Sequence, residues 1–329
     1  MSISLKIATR GSLLALWQAR HVQNILQEKG IASSLKIVTT TGDRVQDRFL
    51  HEIGGKGLFI REIEQCLASG EADLAIHSLK DLPAQVAPIF TLPAILPRHT
   101  PADVLILHPK HHGKPWPTTF DQSHLSLIKG WTVATGSLRR QALLQPIPEG
   151  SLVGLRGNVD TRLKKLQDSE TWDAIVLAGA SLERLKLDCA AIPLDTTWFV
   201  PSPAQGALAI ETCKDHPINS VLSSLDCRRT RQAVEAERSI LQQLGADCTL
   251  PIGVHFATHA DSGHSEGNAW SGRAVVLYKS GLEVRTEIKG QRGMPIETLT
   301  SLILKDLKQK GVAKILQDLG LEVPEWLRR

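Results

Sequence analysis

Aromatic residues are scarce in this 329-residue chain, only 4% of the total, and half of them are tryptophan (seven Trp against six Phe and one Tyr). Cysteine is also sparse: five residues, at 66, 189, 213, 227 and 248, odd in number, widely spaced and with no C-x-x-C pair. That spacing supports neither a disulfide framework nor a zinc site and points to a reducing compartment. There is no run of about eighteen apolar residues, so no transmembrane helix and no membrane partner are expected. The opening MSISLKIATR lacks a long apolar core, so no signal peptide is expected and the cytoplasm is the expected location. Blocks of like charge and nucleic-acid-binding motifs are missing as well, which argues against a nucleic-acid partner.

What is present is globular in composition: 42% hydrophobic and 22% charged residues. The length calls for two or three domains. A net charge of +4 is mild, and the basic residues form small clusters such as Arg139-Arg140 and Arg228-Arg229. Clusters of that size suit small carboxylates or phosphates.

The pattern along the chain alternates strand and helix. Leu5, Ile7 and Ala8 read as a strand, Thr9-Arg10-Gly11 as a turn and Ser12 as an N-cap. Leu14, Trp17, Val22 and Ile25 then recur at helical spacing up to Gly30. Phe59, Ile63, Cys66 and Leu67 mark a second helix, followed by a buried strand at 73–77. The unit recurs: a strand at 131–135, a turn at Gly136, an N-cap at Ser137 and a strand at 173–177. Both later strands lead into loops ending in charge, SLKD at 78–81 and SLER at 181–184. This predicts two similar α/β domains with largely parallel sheets. Residues 97–101 and 201–206 read as crossing linkers, and 108–124, rich in His, Pro and Lys, as an exposed insertion. Beyond about residue 225, a helix near 229–244, a hairpin over 270–289 and an amphipathic helix carrying Ile296, Leu299, Ile303 and Leu307 predict a small α+β domain.

Several groupings could carry chemistry. Arg10 with Ser12, and Ser137 with Arg139 and Arg140, stand where strands give way to helix N-termini, and two such sites facing each other favour anion binding. Taken singly, each is an N-cap beside solvated arginines. His77-Ser78-Leu79-Lys80-Asp81 puts an acid beside a base after a buried strand, a place for a general acid/base or for a plain turn. Gly54-Gly55-Lys56-Gly57 lacks the spacing of a phosphate loop and reads as a mobile lid carrying a cation. Arg156 and Arg162 flank a Gly-Asn turn and could converge on an acidic ligand or start a solvated helix. Cys66 reads as core. Electrostatics alone nominates Cys227 as the reactive thiol, because Arg228, Arg229 and Arg231 surround it; Cys248, beside Asp247, gains no priority on physical grounds. His108, His111 and His112 could bind metal, but their surroundings read as a solvated loop.

Eight segments, in order, resemble the porphobilinogen deaminase family: IATRGSLLALWQ (7–18), GGKGLF (54–59), ADLAIHSLKDLP (72–83), GSLRRQ (136–141), LRGNVDTRL (155–163), DAIVLAGASLERL (173–185), PAQGALAIE (203–211) and CTLPIG (248–253). The resemblance implies two type II periplasmic-binding-protein-like α/β domains plus a smaller α+β C-terminal domain, at 1–98 plus 204–224, 102–200 and 228–329. It implies a transferase of tetrapyrrole biosynthesis that condenses four porphobilinogen molecules head to tail, releasing ammonia, into hydroxymethylbilane. The primer would be one dipyrromethane per chain, joined by a thioether to Cys248 rather than to Cys227. Resemblance places Lys80, Ser137, Arg139, Arg140, Arg162 and Arg184 on the cofactor and Arg10, Ser12, Arg156 and Gln205 on substrate. It puts Lys56 on a mobile loop, makes Asp81 the catalytic carboxylate and calls for no metal. A monomer that passes its product to uroporphyrinogen III synthase is expected. The alternative from another class is a periplasmic-binding-like anion sensor or transport protein.

Overall fold

The computed structural model describes residues 4–44, 60–246, 250–259, 269–278 and 282–328. The first sheet begins with β1 (Ser4–Arg10), α1 (Leu13–Glu28) and β2 (Ala32–Val38). Ser12 caps α1 as expected, accepting from the Ala15 amide at 3.3 Å, and Gly30 closes it at φ +75°. The short α2 (Thr41–Arg44) follows, then α3 (Arg61–Ala68), β3 (Leu74–Ser78) and β4 (Phe90–Ile95).

The chain then crosses to a second sheet. This contains β5 (Asp103–Leu107), β6 (Thr132–Ala134), α4 (Leu138–Leu144), β7 (Ser151–Val153), α5 (Val159–Gln167), β8 (Ala174–Ala178), α6 (Gly179–Leu185) and β9 (Ala191–Pro193). It returns through residues 199–207 to β10 (Leu208–Cys213) and α7 (Asn219–Leu222) on the first sheet. The remainder is α8 (Arg228–Gln243), β11 (Ile252–His259), β12 (Ala269–Leu277), β13 (Glu283–Lys289), α9 (Ile296–Gln309), α10 (Val312–Asp318) and α11 (Glu325–Arg328).

The two five-stranded sheets share one plan: β2-β1-β3-β10-β4 and β7-β6-β8-β5-β9. In each, the strand that follows a crossing, β10 or β5, runs antiparallel to both neighbours, while the pairs around β1 and β6 are parallel. The architecture is the expected one, two α/β sheets and a smaller α+β unit on the antiparallel β11-β12-β13 sheet, but each five-stranded sheet is mixed, with two parallel and two antiparallel pairings, rather than largely parallel. The strands read as continuous apolar runs because both faces are covered. Ala174 and Val176 of β8 face one core cluster, while Ile175 and Leu177 face another. β3 divides likewise, with Leu74 and Ile76 on one side and Ala75 on the other.

Two further expectations need correction. The SLKD and SLER segments are not loops: Leu79–Asp81 is a 3₁₀ turn, and Ser181 to Arg184 lie within α6. Residues 108–124 are not a wholly exposed insertion either. His111 is buried, bonds Asp173 through Nε2 at 2.8 Å and stacks on Trp131 at 4.2 Å. Phe120 is fully buried, and its amide donates to the Pro193 carbonyl at 2.8 Å. A polar composition concealed three aromatic anchors, His111, Trp116 and Phe120, which pack onto the second sheet.

The crossings are fastened to α8. Arg98 in the outgoing segment makes a two-pronged bond with buried Glu237 (2.7 and 3.0 Å) and donates through Nε to the Gln205 carbonyl in the return segment (2.8 Å). Glu237 also accepts from the Ala204 and Phe256 amides at 2.6 and 2.9 Å. With every carboxylate oxygen bonded, a buried charge here is supported rather than stranded.

Candidate active site

Strand ends from both sheets converge on one cleft of about 260 Å³. From the first sheet come Arg10 and Ser12 at the end of β1, and Ser78, Lys80 and Asp81 at the end of β3. From the second come Arg140 on α4, Arg156 to Arg162 leading into α5, and Ala178 to Arg184 at the junction of β8 with α6. Glycine is required where the walls come close. A Cβ on Gly136 would lie 2.5 Å from the Leu155 carbonyl oxygen, and one on Gly206, at φ +89°, 2.6 Å from that of His99.

The lining is strongly cationic. Among the described residues the lining has six cations, Arg10, Lys80, Arg140, Arg156, Arg162 and Arg184, against three carboxylates, Asp43, Asp81 and Asp160. Arg10 is paired with Asp43, through Nε at 3.1 and 3.2 Å. Burial pushes the Lys80 ammonium down to about 8, against the opposing pull of Asp81, and its Nζ donates to Gln205 Oε1 at 3.2 Å. Burial together with neighbouring Arg140 and Arg156 lowers Arg162 to about 10; its Nε donates to the Gly157 carbonyl at 2.7 Å. Burial likewise brings Arg184 to about 10, and its Nη2 donates to the Gly206 carbonyl at 2.7 Å. Arg184 Nε and Arg156 Nη1 are buried donors with no partner among the described residues. Buried guanidinium donors left unmatched are costly, and an anionic ligand in the cleft would satisfy them.

Asp103, which sequence reasoning missed, organises the wall behind this lining. Its carboxylate is buried, which alone would raise its pKa, but Arg139 and Arg140 hold it at about 2. Arg140 reaches it through Nε and Nη2 at 3.1 and 2.7 Å, Arg139 through Nη2 at 2.7 Å and Gln205 through Nε2 at 2.9 Å. The one available signal was an acid heading the apolar strand DVLIL, where a carboxylate needs a buried partner.

Of the residues singled out from sequence, the cleft lining brings together Arg10, Ser12, Lys80, Asp81, Arg140, Arg156, Arg162 and Arg184. Asp81 is exposed to the cleft, on the 3₁₀ turn. Ser137 caps α4, while Arg139 and Gln205 are 3% and 1% exposed; all three stand outside the lining. Arg139 points to Asp103 and the Val200 carbonyl (2.8 Å), beneath Phe199. Lys56 and Cys248 lie outside the described residues. Of the three arginines that nominated Cys227, Arg231 is engaged elsewhere, bonded to Asp226 at 2.7 and 2.8 Å and to Glu235 at 3.0 Å. Among the described residues no cluster of His, Cys, Asp and Glu could hold a metal ion, and no helix is long and apolar enough to cross a membrane.

Comparison with known proteins adds a second line of evidence. The family profile described as "Porphobilinogen deaminase, dipyromethane cofactor binding domain" matches residues 5–219. A protein of that first name from Xanthomonas axonopodis pv. citri (strain 306) is 41% identical over 325 residues, covering 96% of this chain and 99% of its own length. Its namesake from Sulfurimonas denitrificans is 39% identical over 318 residues, covering 95% and 96%. Among solved structures, the Bordetella pertussis BvgS VFT2 domain covers 72% of this chain and 90% of its own at 16% identity and a TM-score of 0.39. The periplasmic aliphatic sulphonate binding protein SsuA of Escherichia coli covers 73% and 69% at 15% identity and a TM-score of 0.34.

Proposed function

The chain belongs to the porphobilinogen deaminase family, and from that premise we propose that it condenses four porphobilinogens head to tail, releasing ammonia, on a covalent dipyrromethane. The product is hydroxymethylbilane for tetrapyrrole biosynthesis, handed on to uroporphyrinogen III synthase by a monomeric cytoplasmic enzyme. In this reading 1–98 with 204–224 form the domain of the catalytic carboxylate, 102–200 that of the carboxylate-binding arginines, and 228–329 that of the attachment cysteine, Cys248.

The observation that carries the reading is the pair of unmatched buried donors, Arg156 Nη1 and Arg184 Nε, in a cleft lined by six cations. Each pyrrole of substrate and primer bears an acetate and a propionate, so the residues present fit such a group. Lys80, Arg140, Arg162 and Arg184 would hold the dipyrromethane carboxylates, and Arg10, Ser12 and Arg156 those of incoming porphobilinogen. Ser137, Arg139 and Gln205 act from behind, fixing α4, Asp103 and Lys80. When bound, the dipyrromethane supplies the nucleophilic pyrrole carbon that primes the chain.

Asp81 does the proton work. Beside the leaving aminomethyl group it delivers a proton to the amine, and as a carboxylate it stabilises the cation left on the substrate. It then takes up the proton lost when the pyrrole ring regains aromaticity. The arginines contribute by fixing several carboxylates at once, which orients the reacting carbons and converts binding into proximity.

The test is intact-mass measurement joined to porphobilinogen turnover. The purified protein should exceed its sequence mass by one dipyrromethane and give a coloured product with an acidic aldehyde reagent. Cys248→Ala should lose that excess and Cys227→Ala should keep it; the opposite result overturns the assignment of the attachment site. A chain with neither adduct nor turnover would leave the anion-sensor reading in its place.

A further inference from the structure

The loop that presents Asp81 does not hold itself. Its internal backbone support is one short 3₁₀ turn, Leu79–Asp81, closed by the Leu82 amide donating to the Leu79 carbonyl at 3.2 Å. Short 3₁₀ turns have poor hydrogen-bond geometry and rely on their surroundings. Those surroundings are the return crossing, where the Ala207 carbonyl accepts from the Leu79 amide at 3.0 Å, and α8, a helix more than 140 residues farther along the chain.

One guanidinium on that helix meets the loop on both sides of Asp81. Arg238 Nη1 donates to the Leu79 and Leu82 carbonyls, each at 3.3 Å. Its Nη2 donates to the Pro83 carbonyl at 2.5 Å and to that of Ala84 at 3.0 Å. Arg238 is buried, and one turn earlier Val234 packs in a single apolar cluster with Leu79 and Leu82. Its neighbour Glu237 is the residue that fastens the two crossing segments. Arg238 is not among the described residues that line the cleft; the loop it holds is.

We propose that Arg238 is a positioning residue: its planar fork fixes the backbone on either side of Asp81 and so sets the carboxylate where the amine leaves. The inference rests on the acid/base role given above to Asp81. Four carbonyls arranged around one guanidinium demand a rigid, flat, multi-donor head. A lysine carries the same charge but presents a compact ammonium that cannot address all four directions. The consequence falls on the chemical step, because displacement of a proton-transfer group by about 1 Å costs up to roughly 100-fold in rate. Substrate capture is assigned to Arg10, Ser12 and Arg156, none of which lies on this loop, and is left intact.

The experiment uses the dipyrromethane-loaded enzyme, with loading checked by intact mass and folding by circular dichroism. Arg238→Lys is the primary variant; Arg238→Met keeps the apolar stem and removes every donor. Each is made in the parent and in an Asp81→Glu background, where the carboxylate is already displaced by one methylene. The expected result is a fall in kcat of roughly 10- to 100-fold for Arg238→Lys with KM within about two-fold of the parent. In the Asp81→Glu background the same change should cost less than about three-fold, because residues acting through one another are not additive. Normal kcat in a loaded Arg238→Lys enzyme overturns the proposal, as does an equal loss in both backgrounds. Parental turnover by a loaded Asp81→Asn enzyme would instead overturn the reading of Asp81. That outcome is told apart from the others because it appears with Arg238 unchanged.

Discussion

Arg184 offers the sharpest separation between a cation kept for ligand binding and one kept for the fold. It is 3% exposed, donates through Nη2 to the Gly206 carbonyl and leaves Nε unmatched among the described residues. Burial brings it to about 10, well below the ordinary arginine range, with Glu183 and Asp81 only partly compensating. At about 1.4 kcal/mol per pK unit, that displacement amounts to about 3 kcal/mol against the charged form in the ligand-free protein. The sign follows from linkage: a cation whose folded pKa is depressed is penalised at every pH below that value, so the cost is fully present at neutrality. Arg184→Met keeps the stem and removes the charge. Loss of the bond to Gly206 returns about 1 kcal/mol of destabilisation, leaving a net gain of about 2 kcal/mol. The assay is urea unfolding in a Cys248→Ala background, so that both proteins lack the bound group, beside the dipyrromethane-loaded fraction, by intact mass, when Cys248 is kept. Stability should rise while dipyrromethane binding weakens by about 2–5 kcal/mol, the cost of leaving a buried carboxylate unpaired. An Arg184→Met protein that unfolds more easily and loads normally would refute the reasoning and make the residue a structural one.

The other expectations separate the walls of the cleft. Asp81→Asn should reduce product formation by about 10²–10⁴-fold in a loaded, well-folded enzyme, with Asp81→Glu retaining part of the rate; turnover assays with circular dichroism decide it. Arg139→Leu should lower folding stability by about 3–5 kcal/mol, because buried Asp103 loses a charged partner, whereas a primary effect on KM without destabilisation would contradict its place behind the lining. Lys80, at about 8, should lose its charge as pH rises past that value and with it its hold on the dipyrromethane carboxylates, so turnover should fall above pH 8 in the parent and stay flatter in Lys80→Met. For stability the sign is opposite: the folded pKa lies below the unfolded one, so this group makes the protein more stable as pH rises from about 8 toward the ordinary lysine range.

Local patterns were legible from the chain because their causes are local. Ser12 and Ser137 cap the helices they precede, Gly30 closes α1, and the apolar runs at 74–78 and 174–178 are strands covered on both faces. The repeat of strand, turn and capped helix announced two related sheets, and the small clusters of basic residues pointed to a cationic cleft. The partner of each charged head was not legible, since it depends on what folding brings across from elsewhere. Arg139 and Arg140 are adjacent and identical in kind, yet only Arg140 lines the cleft while both close on Asp103, 36 and 37 residues away. Cys227 sits in a basic stretch, but Arg231 is bound to carboxylates rather than to the thiol. The segment at 108–124 is polar in composition, yet His111 and Phe120 are buried because Asp173 and the second sheet lie opposite them. Likewise, nothing near Asp81 in the chain foretells that Arg238 meets the carbonyls on either side of it. Periodicity and capping are read over a few residues, whereas a guanidinium's hydrogen bonds are settled by the three-dimensional arrangement of carbonyls and carboxylates, which only tertiary structure supplies.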